Sequence, residues 1–196
     1  GSQRETQRDA AAKEAHVLSV WGAHFAKSVG TVAGFLRAKP DLLLKMPAQG
    51  ATEMAYCTPR SWDMAARAWA AGVIHGLDPN EMALLLSGCV GAGPTRELIT
   101  YAPDADLPNP EDILSGKFPW TPAKNERQDR LYAILNGLTA MMCGVPYSDE
   151  RFVPYVERFW DLMLATGKVV PDIALGRVKA AMNAKIHVIE DTKIMR

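Results

Sequence analysis

The chain has 196 residues, 48% of them hydrophobic and 22% charged, enough apolar side chain to bury a core and too much for global disorder. Lys plus Arg equals Asp plus Glu, 22 against 22, and this zero formal balance argues against nucleic acid as a partner, because such binders usually show a basic surplus. The three cysteines, Cys57, Cys89 and Cys143, are far apart and form no CxxC pair, which argues against a metal site and for a reducing, cytoplasmic setting.

No apolar run reaches transmembrane length and no signal-peptide pattern opens the chain, so no membrane partner is expected. Gly1-Ser2, without an initiating Met, reads as a cloning remnant ahead of a piece of a longer protein. Residues 5–29 are rich in helix formers, and Val17, Val20, Trp21, His24 and Phe25 recur on one face. Gly30 reads as an interruption. The following TVAGFLRAK predicts a second short helix that ends before Pro40, since the residue before proline avoids helix. PDLLLKM adds a further turn or two, closed by Pro47, and Ala48 to Cys57 reads as a loop.

The helix starts share one grammar. Thr58 with Pro59, Asp78 with Pro79 and Glu81, and Asn109 with Pro110 and Asp112 each place a capping side chain before proline at the first helical position. Ser148 and the acidic pair Asp149-Glu150 predict another first turn, with Pro154 as a kink inside the helix. Pro171 and Asp172 open the last long segment, where IHVIED reads as either helix or a short strand. APDADLPNP and FPWTPAKN are the most loop-like stretches. No strand–turn–strand signal appears, so the fold class is all-α.

Chemistry-bearing motifs are sparse. GCVGAGPT has glycines but no terminal Lys, so it is no Walker A loop; its glycines and Pro94 end one helix and begin the next. ATGKVVPD reads as a helix C-cap. His16, His24, His75 and His187 make no ligand pair at helical spacing, so each reads as packing or surface. Trp62 and Trp69, seven residues apart with Ala65 and Ala66 between them, form an apolar stripe. Trp120 alone lies in a loop, either on a partner surface or over a core edge.

Arg60 is the oddity. It places a cation at the positive end of a helix dipole, about 200° around the helix from Trp62, in a polar row with Asp63 and Arg67. One explanation is a solvated arginine, or one paired with Asp63 across a turn. The other is that an anion comes to this helix end, met by free helix N–H groups and the guanidinium together.

FLRAKPDLLLKM, TPRSWDMAARAW, GLDPNEMALLLSGCVGAGPTRELITY and LPNPEDIL resemble, in order, the C-terminal helical part of MoxR-like AAA+ ATPases of the bacterial and phage-borne type. The likeness covers about Trp21 to Leu114 and fades from Phe118 onward. It implies an AAA+ lid-like bundle over residues 1–117 and a C-terminal helical extension over 118–196 packed on the same unit. It further implies that Arg60 is the sensor-2 residue that reaches the γ-phosphate of ATP, with Thr58, Pro59 and Ser61 setting the helix start that aims it. ATP and Mg would belong to the parent protein, bound by an N-terminal AAA+ core, and the parent would form a homo-oligomeric ring that remodels a client protein. Walker A and B are absent here, so the chain alone is expected to bind neither and to be catalytically inactive. Two other readings stay open: a free-standing helical interaction or adaptor module, and a helical nucleic-acid binder using Lys124, Arg127 and Arg130.

Overall fold

The computed structural model describes residues 2–47 and 55–189, with side chains for 11–47, 55–103 and 106–182. The described residues form eight α-helices and one 3₁₀ turn. In chain order these are α1 (Ser2–Ala38), the 3₁₀ turn Pro40–Leu42, α2 (Pro59–Ile74), α3 (Pro79–Val90), α4 (Ala92–Ala105), α5 (Pro110–Leu114), α6 (Gln128–Gly144), α7 (Phe152–Gly167) and α8 (Pro171–Ile189). The only strand-like feature among the described residues is a single antiparallel bridge between Lys45 and Cys57. The fold is therefore all-α.

The capping grammar appears as written. Thr58 and Ser61 form a reciprocal capping box, as do Asp78 and Glu81, and Asn109 accepts the Glu111 N–H at 3.0 Å. Each box satisfies donors that the first helical turn leaves without intrahelical partners. Gly91, with φ 90, turns the chain between α3 and α4, and α7 ends at Gly167.

Several expectations need correction. Gly30 does not interrupt α1, which runs unbroken to Ala38. The glycine is there for contact: a Cβ at Gly30 would lie 2.6 Å from the Ala133 carbonyl oxygen, and one at Gly34 would lie 2.6 Å from Ala133 Cβ. Gly22, Ala26, Gly30 and Gly34 thus form a small-residue row at four-residue spacing against which α6 packs closely.

The acidic pair Asp149-Glu150 precedes α7 instead of filling its first turn. Pro154 explains the shift. It has no N–H to donate, so a helix starting at Phe152 leaves it harmlessly in the first turn, unkinked. Asp149 instead clasps Arg151, accepting its backbone N–H at 2.9 Å and its guanidinium at 2.7 Å. Those bonds hold the Asp149 carboxyl at about 2.

APDADLPNP is partly helical, since α4 continues to Ala105 before Asp106 closes it in the left-handed region at φ 40. IHVIED is helical as far as Ile189; Glu190 and Asp191 lie outside the described residues, as do 48–54 of the loop expected from Ala48 to Cys57.

Two apolar clusters make up the interior. One gathers on α6, whose Leu131, Leu135, Leu138 and Met142 meet Phe152, Phe159 and Leu162 of α7 with α5 and α8 around them. Trp120 belongs here at 6% exposure, so it covers core. The other joins Phe35 of α1 and Leu42 to Trp62, Ala65 and Ala66 of α2, with Met82, Leu86, Val90 and Leu98 from α3 and α4. Helix α1 serves both, contributing Ala26 to the first and Val32 and Phe35 to the second.

Candidate functional site

The start of α2 is fastened from three directions. Trp62, 2% exposed, tilts against Phe35 at 5.6 Å between ring centroids and donates its indole N–H to the Leu42 carbonyl at 2.8 Å. The Lys45 N–H bonds the Cys57 carbonyl at 3.0 Å, tying the preceding segment to the chain after the 3₁₀ turn. Buried Cys57 directs its thiol to the Val90 carbonyl at 3.5 Å, linking the same segment to the end of α3. Burial pushes that thiol up, with the Lys45 charge opposing the shift.

Within the turn, the Thr58 hydroxyl accepts the Ser61 N–H at 3.0 Å and the Ser61 hydroxyl accepts the Thr58 N–H at 2.8 Å. Pro59 has no N–H to offer. The helix end therefore retains one unbonded backbone donor among these residues, the N–H of Arg60 itself. This narrows the expectation that several free helix N–H groups would meet an anion here. The guanidinium is left as the main donor.

Arg60 is exposed, as expected for a residue on the side of the helix away from Trp62. It is not paired with Asp63. That carboxylate takes the Arg67 guanidinium instead, at 2.9 and 3.4 Å, across the four-residue spacing that brings side chains on successive turns together. Arg67 also lies over the Phe25 ring at 4.9 Å. Among the described residues the Arg60 guanidinium has no ion-pair or hydrogen-bond partner. Tyr56, before the cap, and Met64, one turn after Arg60 on the same helix, are both exposed.

Arg127 pairs with Asp129 at 2.6 Å and Arg130 with Glu126, so two of the three cations in the nucleic-acid reading are already matched by carboxylates. Lys124 is exposed. Trp69 is half-buried on the same helix as Trp62, beside Ala70 of the interior. His16 and His75, remote in sequence, line one cleft between α1 and α2 with Lys13. The His187 side chain lies outside the described residues. Among the described residues no group of three His, Cys, Asp or Glu is placed to hold a metal ion, the cysteines form no disulfide, and no helix is long and apolar enough to cross a membrane.

Sequence reasoning missed the fastenings that aim the helix. The Trp62–Leu42 bond and the Cys57–Val90 contact join residues 20 and 33 positions apart, and neither leaves a local pattern. Comparison of the chain with protein-family models, with curated proteins and with solved structures finds no match.

Proposed function

We propose that this chain is the helical lid and C-terminal region of a MoxR-like AAA+ ATPase, with Arg60 as its sensor-2 residue. The reading rests on the motifs between Trp21 and Leu114 and is supported by one observation above others. Arg60 stands exposed and unpaired, among the described residues, on a helix start whose own donors are almost all used. An unneutralised guanidinium held on a rigid turn suits a phosphate delivered by another domain.

In this proposal a nucleotide-binding core elsewhere in the parent protein holds ATP and Mg. Arg60 supplies positive charge to the γ-phosphate as the phosphoryl group transfers, and the contact couples nucleotide state to the position of the helical region. Ring assembly and remodelling of a client protein belong to the same proposal. The chain by itself contributes one residue to such a site and is not expected to turn over ATP.

The test is ATP hydrolysis by a parent protein that carries both the core and this region. Arg60→Ala should reduce turnover strongly, and Arg60→Lys should restore it only in part, since an ammonium cannot make the bidentate contact. Unchanged turnover in Arg60→Ala would overturn the reading. The second reading, an adaptor module without a nucleotide role, draws on the exposed apolar side chains Tyr56 and Met64 near the start of α2 in sequence. It expects those residues to matter for partner binding while ATP hydrolysis stays indifferent to Arg60.

A further inference from the structure

Helix α1 carries a polar stripe on a face that turns toward other helices. His24, Lys27, Ser28 and Thr31 recur at the i, i+3, i+4, i+7 spacing of one helical side. All four line a single cleft of about 450 Å³ between α1, the second half of α2 and the junction of α4 with α5. That volume lies in the range of roughly 300–1,000 Å³ usual for small-molecule sites.

The hydroxyls sit deep. Ser28 is 6% exposed and Thr31 7%. Thr31 donates to the Lys27 carbonyl at 3.0 Å within its own helix. The Ser28 hydroxyl has no hydrogen-bond partner among the described residues. It faces the cleft, where solvent or a ligand oxygen can complete its bonding.

Opposite charges face the same space. Lys27 and Asp106 both line the cleft, yet they do not pair with each other or with any other described side chain. Asp106 is held in its left-handed turn partly by its backbone, whose carbonyl takes the Arg130 guanidinium at 3.1 Å. That bond fixes the turn and leaves the carboxylate unused. Trp69 and Val73 of α2, with Leu107, supply an apolar wall.

A simple anion in this cleft would meet Lys27 but also the Asp106 carboxylate, and a simple cation would meet the reverse conflict. A molecule carrying both charges satisfies both side chains. We propose that the cleft binds a small zwitterion with an apolar side chain, of the amino-acid or dipeptide class. Its carboxylate lies on Lys27 and Ser28, its ammonium on Asp106, and its side chain against Trp69 and Val73. This site is separate from Arg60 and does not depend on the nucleotide reading.

The test is a titration of the purified 196-residue chain with L-leucine and with L-leucyl-L-leucine, followed by NMR at the Ser28 and Thr31 amides and the Trp69 indole. The single-charge analogues 4-methylpentanoate and 3-methylbutylamine are the comparison. Saturable shifts with either zwitterion, at least about tenfold tighter than with the analogues, support the proposal, because each lost charge-assisted bond is worth about that factor. Lys27→Ala should abolish the advantage of L-leucine over the amine, and Asp106→Ala its advantage over the carboxylate. Both side chains are exposed, so neither variant is expected to disturb folding. Absence of saturable shifts, or affinities unmoved by both substitutions, would overturn it.

Discussion

At the scale of single residues, the first turn of α2 sets a costly feature beside a stabilising one. A cation near the positive end of a helix dipole is unfavourable by about 0.3–1 kcal/mol, and Asp63 does not relieve Arg60, being committed to Arg67. Arg60→Ala should therefore leave the isolated chain as stable as before, or about 0.3–1 kcal/mol more stable, in urea denaturation. A clear loss would mean that Arg60 holds the fold, contrary to its exposed and unpaired position. Thr58 behaves in the opposite sense. Its hydroxyl satisfies the Ser61 N–H, and Thr58→Ala should cost about 0.5–2 kcal/mol by the same measurement. No loss would mean that the box does not hold the helix start.

At the scale of elements, helix starts were legible because their signals are local. Thr58-Pro59, Asp78-Pro79 and Asn109-Pro110 each complete their capping geometry within three residues, and all three helices begin where those residues stand. In sequence alone Gly30 reads as an interruption, because its role lies in a contact with another helix. Alone, a mid-helix glycine weakens the helix by about 1 kcal/mol relative to alanine; against the Ala133 carbonyl it is what lets α6 approach. Gly30→Ala should accordingly destabilise by about 1–3 kcal/mol through overpacking, despite its better helix propensity. A stabilised variant in chemical denaturation would show that the α1–α6 contact is looser than described. The arginine was visible in sequence, but its freedom from Asp63 was not. Spacings of three and four residues both allow pairing, and side-chain geometry chose Arg67.

At the scale of the whole molecule, α1 runs through both apolar clusters, and a second tie joins them where the Tyr101 hydroxyl of α4 donates to Asp129 of α6 at 3.2 Å. Burial, reinforced by the neighbouring Asp129 carboxylate, pushes the Tyr101 phenol up to about 12. The folded chain then keeps a proton that the unfolded chain releases near pH 10. This contribution to stability is intact below that pH and is lost as pH rises toward 12. Tyr101→Phe should flatten that part of the alkaline unfolding profile, and an unchanged profile would remove the tie from the account. Neither the shared helix nor this tie has a signature in composition or periodicity, because both arise from packing of segments far apart in the chain. The proposed role of the free Arg60 guanidinium at the start of α2 is contact with a nucleotide phosphate held by another domain. Its most direct test is the ATP turnover of the parent protein bearing Arg60→Ala, read beside the thermal unfolding of this chain with the same substitution. A strong fall in turnover with unfolding unchanged or slightly later is the expected result; turnover equal to that of the unsubstituted protein would contradict it.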